Sequence, residues 1–264
     1  MVKLEAPRAA RNRRFEVMAA FAHMVRAQTT VPVADVVTVD TSRRRWPWNV
    51  LIATELLGQS WAELYPRLDE VQRVVAQRQL GQAAAQLHTL TFDGYGELGV
   101  NGRVVEPRAA LAALSERAHR RLRTLAYRDY FRQVLDAHAD LFSAAPGPCL
   151  CHEDLNPYNV LFELLNGEPV LTGVLDFEAA WAGLPESDLA RLELWRWTRG
   201  AALRDGYAAT SSISDSYLWR RPIFQLLWCL EYAEYGASEQ HRLDTNAVCE
   251  ELGLPPVWLL PHGR

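Results

Sequence analysis

Three polar side chains in residues 149–178 could do chemistry together: Asp154, Asn159 and Asp176. Carboxylate and amide oxygens are ligands that a hard cation such as Mg²⁺ prefers, usually together with the phosphate oxygens of a substrate. Asn159 and Asp176 supply such a pair, and Asp154 would face an incoming hydroxyl group. The three residues therefore predict a divalent metal site beside a carboxylate that binds a hydroxyl. A solvated turn, in which these side chains only cap backbone groups, is the alternative.

The elements around these residues are predicted to hold them on a rigid support. Short apolar runs on both sides of the polar loop, Cys149–Cys151 and Val160–Phe162, suit buried strands. Asn166-Gly167 separates Val160–Leu165 from Val170–Leu175, a spacing that predicts a β-hairpin with a primed turn. Such a hairpin would bring Asn159 close to Asp176.

The spacing Asp-x-x-x-x-Asn, followed by Asp-Phe, is that of kinase catalytic loops. The run His152–Leu161, with Asp176-Phe177-Glu178 and Gly183–Ala190, closely resembles the aminoglycoside phosphotransferase and choline kinase family. Members of this family are small-molecule kinases with a protein-kinase-like fold. The roles that the resemblance implies are catalytic base for Asp154, Mg²⁺ ligands for Asn159 and Asp176, and support of the loop for His152 and Asp188.

The same resemblance implies where the nucleotide, ATP or GTP, would bind. Lys3 fits the lysine of an N-terminal strand that contacts phosphates, and Glu16 on the following helix is its candidate ion-pair partner. The backbone of Thr54, Glu55 and Leu56 corresponds to the hinge that binds the adenine edge. For Lys3 and Glu16, the alternative is a surface lysine and an unrelated helix glutamate. For Thr54–Leu56, the alternative is an ordinary strand end.

The resemblance implies an α+β, protein-kinase-like fold with two lobes. We expect residues 1–57 to form a reduced N-terminal nucleotide-binding lobe with the hinge. Residues 58–264 would form a larger, mainly helical lobe with the catalytic and substrate-binding groups. In the family, two strands and a glycine-rich turn over the phosphates come before the lysine, whereas two residues precede Lys3. The alternative is therefore a pseudokinase or ligand-binding module that lacks turnover.

Hydrophobic periodicity predicts the remaining elements. Ser187 or Asp188 suits the N-cap of the helix that follows the metal loop. The predicted elements are strands at residues 1–5, Val36–Val39 and Trp48–Glu55, helices at residues 8–27, Leu68–Leu90, within 107–142 and at Ser187–Trp197, and a loop at Ala179–Pro185.

The composition of the chain argues against some classes of function, such as nucleic-acid binding. The chain has 264 residues, of which 49% are hydrophobic and 23% charged, and its net charge is −4. These values predict a globular protein without a nucleic-acid partner. No apolar run approaches the roughly 20 residues that cross a membrane, and a reduced cytoplasm is the expected compartment. Because side chains alternate between the faces of a strand, we expect Cys149-x-Cys151-His152 to be a buried strand and not a zinc site.

The acceptor is expected to be a small cationic molecule. Residues 1–150 carry 20 basic and 15 acidic side chains, whereas residues 151–264 carry 8 and 17, so the second part would attract a cation. An aromatic helical face near carboxylates favours ammonium groups; an aromatic stripe in the core is the alternative. The candidates are aminoglycosides, other antibiotics and amino alcohols, and the oligomeric state stays open. The residues concerned are Glu178, Trp228, Glu231, Tyr232, Glu234 and Tyr235.

Overall fold

The protein is described by a computed structural model that covers residues 1–6, 14–194, 198–236 and 238–256. Helices and small antiparallel sheets confirm the predicted α+β class. The strands are β1 Val2–Glu5, β2 Val36–Asp40, β3 Asn49–Ala53, β4 Gln59–Ser60, β5 Cys149–Cys151, β6 Val160–Leu165, β7 Glu168–Val174 and β8 Trp181–Gly183. The α-helices are α1 Arg14–Gln28, α2 Trp61–Leu64, α3 Glu70–Leu87, α4 Ala110–Arg121, α5 Leu125–Ala137, α6 Pro185–Leu194, α7 Ala201–Ala208, α8 Tyr217–Ala233 and α9 Glu239–Glu251.

The first sheet has the strand order β1-β3-β2 and is antiparallel. The first half of α1 packs on one face of this sheet through a small separate core of Phe15, Met18, Leu51 and Ala53. Strand β3 ends at Ala53, earlier than the prediction to Glu55, so Thr54–Leu56 lie outside it. Part of the predicted helix at 8–27 lies outside the described residues.

A β-hairpin of β6 and β7 follows the loop that carries Asp154 and Asn159 and precedes Asp176. Asn166 and Gly167 have φ angles of 53° and 86°, which confirms the primed turn, because both central residues of a type I′ turn need positive φ. Val160 pairs with Val174, and the N–H of Leu175 donates to the carbonyl of Asn159 at 2.8 Å. The hairpin therefore brings Asn159 next to the residue that precedes Asp176, as predicted.

The large core is mainly helical. Helix α3 follows its prediction closely, and Asp69 caps it by accepting from the N–H of Gln72. Helices α3 and α7 cross so closely that an added Cβ on Gly81 would lie 2.1 Å from the carbonyl oxygen of Leu203. An added Cβ on Gly206 would lie 2.0 Å from the carbonyl oxygen of Arg78. Among the helices of the described ranges, none is long and apolar enough to span a membrane.

Two predictions next to the site are wrong. Residues 179–185 are not all loop, because β8 pairs with β5 in register from Cys149 with Gly183 to Cys151 with Trp181. Helix α6 begins at Pro185, so Ser187 and Asp188 lie inside its first turn and are not N-caps. The predicted end of this helix, at 195–197, lies outside the described residues.

Strand β5 is fully buried, as predicted. Strand alternation does not exclude a zinc site, contrary to the prediction, since Cys149 and Cys151 are two residues apart and share a face of the strand. The Sγ atoms of Cys149 and Cys151 lie 3.8 Å apart, and the thiol of Cys151 donates to the carbonyl of Leu184 at 3.0 Å.

Candidate active site

The loop between β5 and β6 closes on itself around Asp154. The side-chain amide of Asn159 donates to the carbonyl and to the Oδ2 of Asp154, both at 2.9 Å. The side-chain amide of Asn156 donates to Oδ1 of the same carboxylate at 3.0 Å. Two of the predicted site residues are therefore in direct contact, and both oxygens of the predicted base are held in place.

Asp188 is fully buried and holds the backbone of the loop between β5 and β6. Its carboxylate accepts from the backbone N–H groups of His152 at 2.7 Å and Glu153 at 2.6 Å. It also lies 3.2 Å from Nε2 of His88. Burial opposes ionisation of Asp188, but the hydrogen bond and charge of His88 bring its pKa below the ordinary value. Asp188 therefore holds the backbone at residues 152 and 153, and its supporting role in the reaction stays a prediction.

His152 links the loop to the end of the β6–β7 hairpin. Its Nε2 donates to the carbonyl of Leu175 at 2.9 Å, and its Nδ1 accepts from the N–H of Asp154 at 3.1 Å. Burial lowers the pKa of His152, and a neutral ring with its proton on Nε2 satisfies both bonds. His152 thus connects the residue before Asp176 with Asp154.

Glu153 is a buried residue of the site that the sequence did not reveal. Its φ angle is 63°, which a non-glycine residue rarely adopts. Its carboxylate contacts Arg121 at 3.0 Å and Arg117 at 3.5 Å, and accepts from the indole N–H of Trp181 at 3.1 Å. Burial would raise the pKa of Glu153, but the two arginines bring it below its usual value. These long-range ion pairs leave no local sequence pattern.

Arg191 is the second residue that the sequence did not reveal. Its Nη2 donates to Oδ1 of Asp154 at 2.6 Å, and its Nη1 donates to the carbonyl of Glu153. The guanidinium carbon lies 4.7 Å from the ring centre of Trp228. Its only signal was the position three residues after Asp188, on the same helical face.

Asp176 and Lys3 meet across the cleft. Asp176 has a φ of 64°, and its Oδ1 lies 3.0 Å from Nζ of Lys3. The predicted partner Glu16 instead accepts from the hydroxyl of Thr41 at 2.7 Å. The second carboxylate on Lys3 is Glu178, at 3.5 Å, because the short 3-10 helix Phe177–Ala179 follows Asp176 directly. Arg14 also contacts Glu178, at 2.7 Å.

A cavity of about 160 Å³ lies between the first sheet and the end of the β6–β7 hairpin. It brings together the predicted phosphate and metal residues Lys3, Asn159 and Asp176. Ala53 lines it, whereas Thr54, Glu55 and Leu56 do not. The apolar part of the wall is formed by Met1, Met18, Ala22, Val33, Ala34, Val36, Leu51, Ala53, Val174, Leu175 and Phe177.

The donor set of this cavity fits Mg²⁺. Asn159 uses its Nδ2 for both hydrogen bonds to Asp154, so its Oδ1 has no partner among the described residues. Asp176 is 35% exposed and offers a carboxylate whose charge Lys3 partly balances. One carboxylate and one amide oxygen, completed by phosphate and water, are a usual protein contribution to a magnesium site.

The residues predicted to bind the acceptor are engaged with protein groups. Glu231 contacts Arg121 at 2.7 Å, and Glu234 accepts from the backbone N–H groups of Arg123 and Thr124. The aromatic faces are occupied as well, because Arg191 covers Trp228 and the guanidinium carbon of Arg123 lies 5.1 Å from the ring centre of Tyr235. Glu231, Trp228 and Tyr235, which were expected to contact an ammonium group, therefore already contact guanidinium groups.

Comparison with protein families matches residues 1–223 to the phosphotransferase enzyme family, abbreviated APH. The chain belongs to this family. This phosphotransferase therefore transfers a phosphoryl group to the alcohol group of a small molecule, and the family match gives no support to the alternative of a module without turnover. A comparison with curated protein sequences found no match.

Solved structures confirm the two-lobed, protein-kinase-like fold of the phosphotransferase. A thermostable mutant of aminoglycoside phosphotransferase APH(4)-Ia, solved with AMP-PNP and hygromycin B, is similar at TM-score 0.59 and 17% identity, over 89% of this chain and 83% of that one. APH(2")-IIia, solved with GDP and kanamycin, has TM-score 0.61 and 13% identity over 96% and 93%. A candidate fructosamine-3-kinase from Haemophilus somnus 129PT has TM-score 0.60 and 15% identity over 95% and 83%.

Proposed function

We propose that this phosphotransferase transfers the γ-phosphoryl group of ATP or GTP to a hydroxyl group of a small acceptor. The observation that carries the proposal is the convergence of Lys3, Asn159 and Asp176 on one cavity, with Asp154 bonded to Asn159 at its edge. Residues 1–57 would contribute the nucleotide side of the cleft, where Ala53, directly before the predicted hinge Thr54–Leu56, lines the cavity. Residues 58–264 would contribute the catalytic and acceptor groups.

In this mechanism Asp154 orients the acceptor hydroxyl. Its Oδ2 accepts one bond from Asn159, and a carboxylate oxygen can accept a second, from the hydroxyl proton. As the bond between the acceptor oxygen and the γ-phosphorus forms, the bond to the bridging oxygen of the diphosphate breaks and the hydroxyl proton passes to Asp154. Lys3 steadies the phosphates, and positioning supplies most of the rate in such a reaction. Asn159 and Asp176 would hold Mg²⁺, which neutralises phosphate charge when bound.

The acceptor class follows from the relatives and from charge. Structures similar to this chain were solved with hygromycin B and with kanamycin, and the part after residue 150 is acidic. We therefore propose a cationic acceptor, either an aminoglycoside-like or other antibiotic or an amino alcohol, phosphorylated in the cytoplasm. Phosphorylation of an antibiotic would confer resistance.

The test is consumption of ATP and of GTP with Mg²⁺ against aminoglycosides, peptide antibiotics, fructosamines and amino alcohols. We expect turnover with at least one class and a fall in kcat of about 10²- to 10⁴-fold in Asp154→Asn. Asp205→Asn, an exposed aspartate on α7, is the matched control and should keep wild-type kcat.

Two results would contradict the proposal. Turnover that survives in Asp154→Asn would remove Asp154 from the reaction. An absence of turnover with every acceptor, combined with no Mg²⁺-dependent stabilisation by ATP or GTP in a thermal-shift measurement, would favour a binding module.

A further inference from the structure

We propose that Arg191 is a positioning residue that holds the Asp154 carboxylate so that one of its oxygens, Oδ2, can accept a further hydrogen bond from the acceptor hydroxyl. The inference rests on the proposed function and extends it to a residue outside the Asp-x-x-x-x-Asn spacing. Helix α6, which carries Arg191, would thereby help to place Asp154 against the acceptor hydroxyl.

The hydrogen bonds of Asp154 are unequally distributed over its two oxygens. Oδ1 accepts from Arg191 at 2.6 Å and from Asn156 at 3.0 Å, whereas Oδ2 accepts from Asn159 at 2.9 Å. Each carboxylate oxygen can accept about two hydrogen bonds. Arg191 and Asn156 therefore fill Oδ1, and Oδ2 keeps one place for an acceptor hydroxyl.

The contacts of Arg191 restrict its side chain to few conformations. Its side chain is 9% exposed, and it spans from the Glu153 carbonyl to the Asp154 carboxylate with two different nitrogens. Its planar group stacks on Trp228, 4.7 Å from the ring centre. A guanidinium has a fixed fork of donors, so few rotamers satisfy all three contacts and the Asp154 carboxylate loses rotational freedom.

Helix α6 holds the loop through one hydrogen-bond acceptor, the Asp188 carboxylate, and one donor, the Arg191 guanidinium. Asp188 accepts from the N–H groups of His152 and Glu153. One turn later, Arg191 donates to the carbonyl of Glu153 and to the side chain of Asp154. The backbone of Glu153, with its positive φ of 63°, is thus held on both its N–H and its C=O side.

The same contacts argue against a role in binding the acceptor. Both terminal nitrogens of Arg191 are bonded to the loop, and little of the side chain is exposed. Loss of Arg191 should therefore change how often a bound acceptor is correctly placed, and so kcat, and leave the KM values for nucleotide and acceptor within about threefold.

The experiment compares wild type with Arg191→Met, Arg191→Lys and Arg73→Met. Arg73 is the control, because it also stacks on an aromatic ring, 4.5 Å from the ring centre of Tyr65, and donates to a backbone carbonyl, that of Tyr65. We expect kcat to fall about 10- to 100-fold in Arg191→Met, the effect of one charge-assisted hydrogen bond. Arg191→Lys keeps the charge but cannot span both loop groups, so kcat should fall about tenfold. Arg73→Met should keep kcat within about threefold.

An activity-independent measurement accompanies the kinetics. Amide hydrogen exchange of a peptide covering residues 152–159 should become at least tenfold faster in Arg191→Met and in Arg191→Lys, and not in Arg73→Met. Unchanged exchange in both Arg191 variants would overturn the inference even if no acceptor is found, and so separates its failure from that of the proposed function. A raised acceptor KM with wild-type kcat would overturn it in favour of acceptor binding. If Arg191→Met does not fold, wild-type kcat and exchange in Arg191→Lys would overturn it.

Discussion

Replacing Asp188 by asparagine should weaken the fold at the centre of the site. The carboxylate has no exposed surface and accepts from His152, Glu153 and His88. An asparagine side chain keeps one oxygen acceptor and places an N–H₂ group at the other position. One of the two backbone N–H groups of the loop would then face a donor, and His88 would lose its charged partner.

The magnitude follows from these contacts. A hydrogen bond to a charged group contributes about 1.5–3 kcal/mol, and a buried N–H without an acceptor costs about 1–3 kcal/mol. We expect the free energy of unfolding to fall by about 4 kcal/mol, a large part of the ~5–15 kcal/mol that stabilises a typical domain. For a chain of this size that corresponds to a fall in Tm of about 8–16 °C.

Urea denaturation and thermal unfolding followed by circular dichroism measure the effect. The exposed change Asp205→Asn should leave Tm within about 2 °C. The pH dependence gives a second signature. The pKa of Asp188 lies below its ordinary value of 3.8 in the folded protein. Its contribution is therefore complete at neutral pH. The difference between wild type and variant should begin to shrink only below about pH 4 and should be lost as the pH falls through the folded-state pKa.

A fall in Tm of less than about 3 °C at pH 7 would refute this account of how the loop is held. So would a difference between wild type and Asp188→Asn that stays constant between pH 7 and pH 3, because the lost bonds depend on the ionised carboxylate.

Two further predictions test the cleft and the helix packing. The Lys3→Met change should lower the free energy of unfolding by no more than about 1 kcal/mol, because Lys3 and Asp176 are 25% and 35% exposed and such exposed ion pairs contribute little. In steady-state kinetics, the KM for the nucleotide should rise about 10- to 100-fold. An unchanged KM would contradict a role of Lys3 in binding the phosphates. Gly81→Ala should destabilise by about 1–3 kcal/mol or more in urea titrations, since its Cβ would lie 2.1 Å from a backbone oxygen of α7 and helices must move apart. Gly147→Ala, where nothing lies within 4 Å, is the control, and equal effects of the two changes would disprove the close helix crossing.

Local patterns were sufficient for the elements that present the metal loop. The Asn166-Gly167 pair needs positive φ at both positions, so it predicted the hairpin and the approach of Asn159 to the residue before Asp176. The period of α3 and its Asp69 cap are equally local signals. By contrast, the loop predicted at 179–185 contains β8, because a three-residue strand forms only where a partner such as β5 is available.

The amino-acid sequence by itself determined the family, the α+β class and the Asp154, Asn159 and Asp176 set, because these depend on residue types at short, fixed spacings. The tertiary structure alone decided which charges meet. Arg191 reaches Asp154 over 37 positions, and Lys3 reaches Glu178 over 175. An arginine on a helix face looks the same in sequence whether it is solvated or buried against a carboxylate. Its partner is chosen by how the elements pack, and packing is a property of the whole chain.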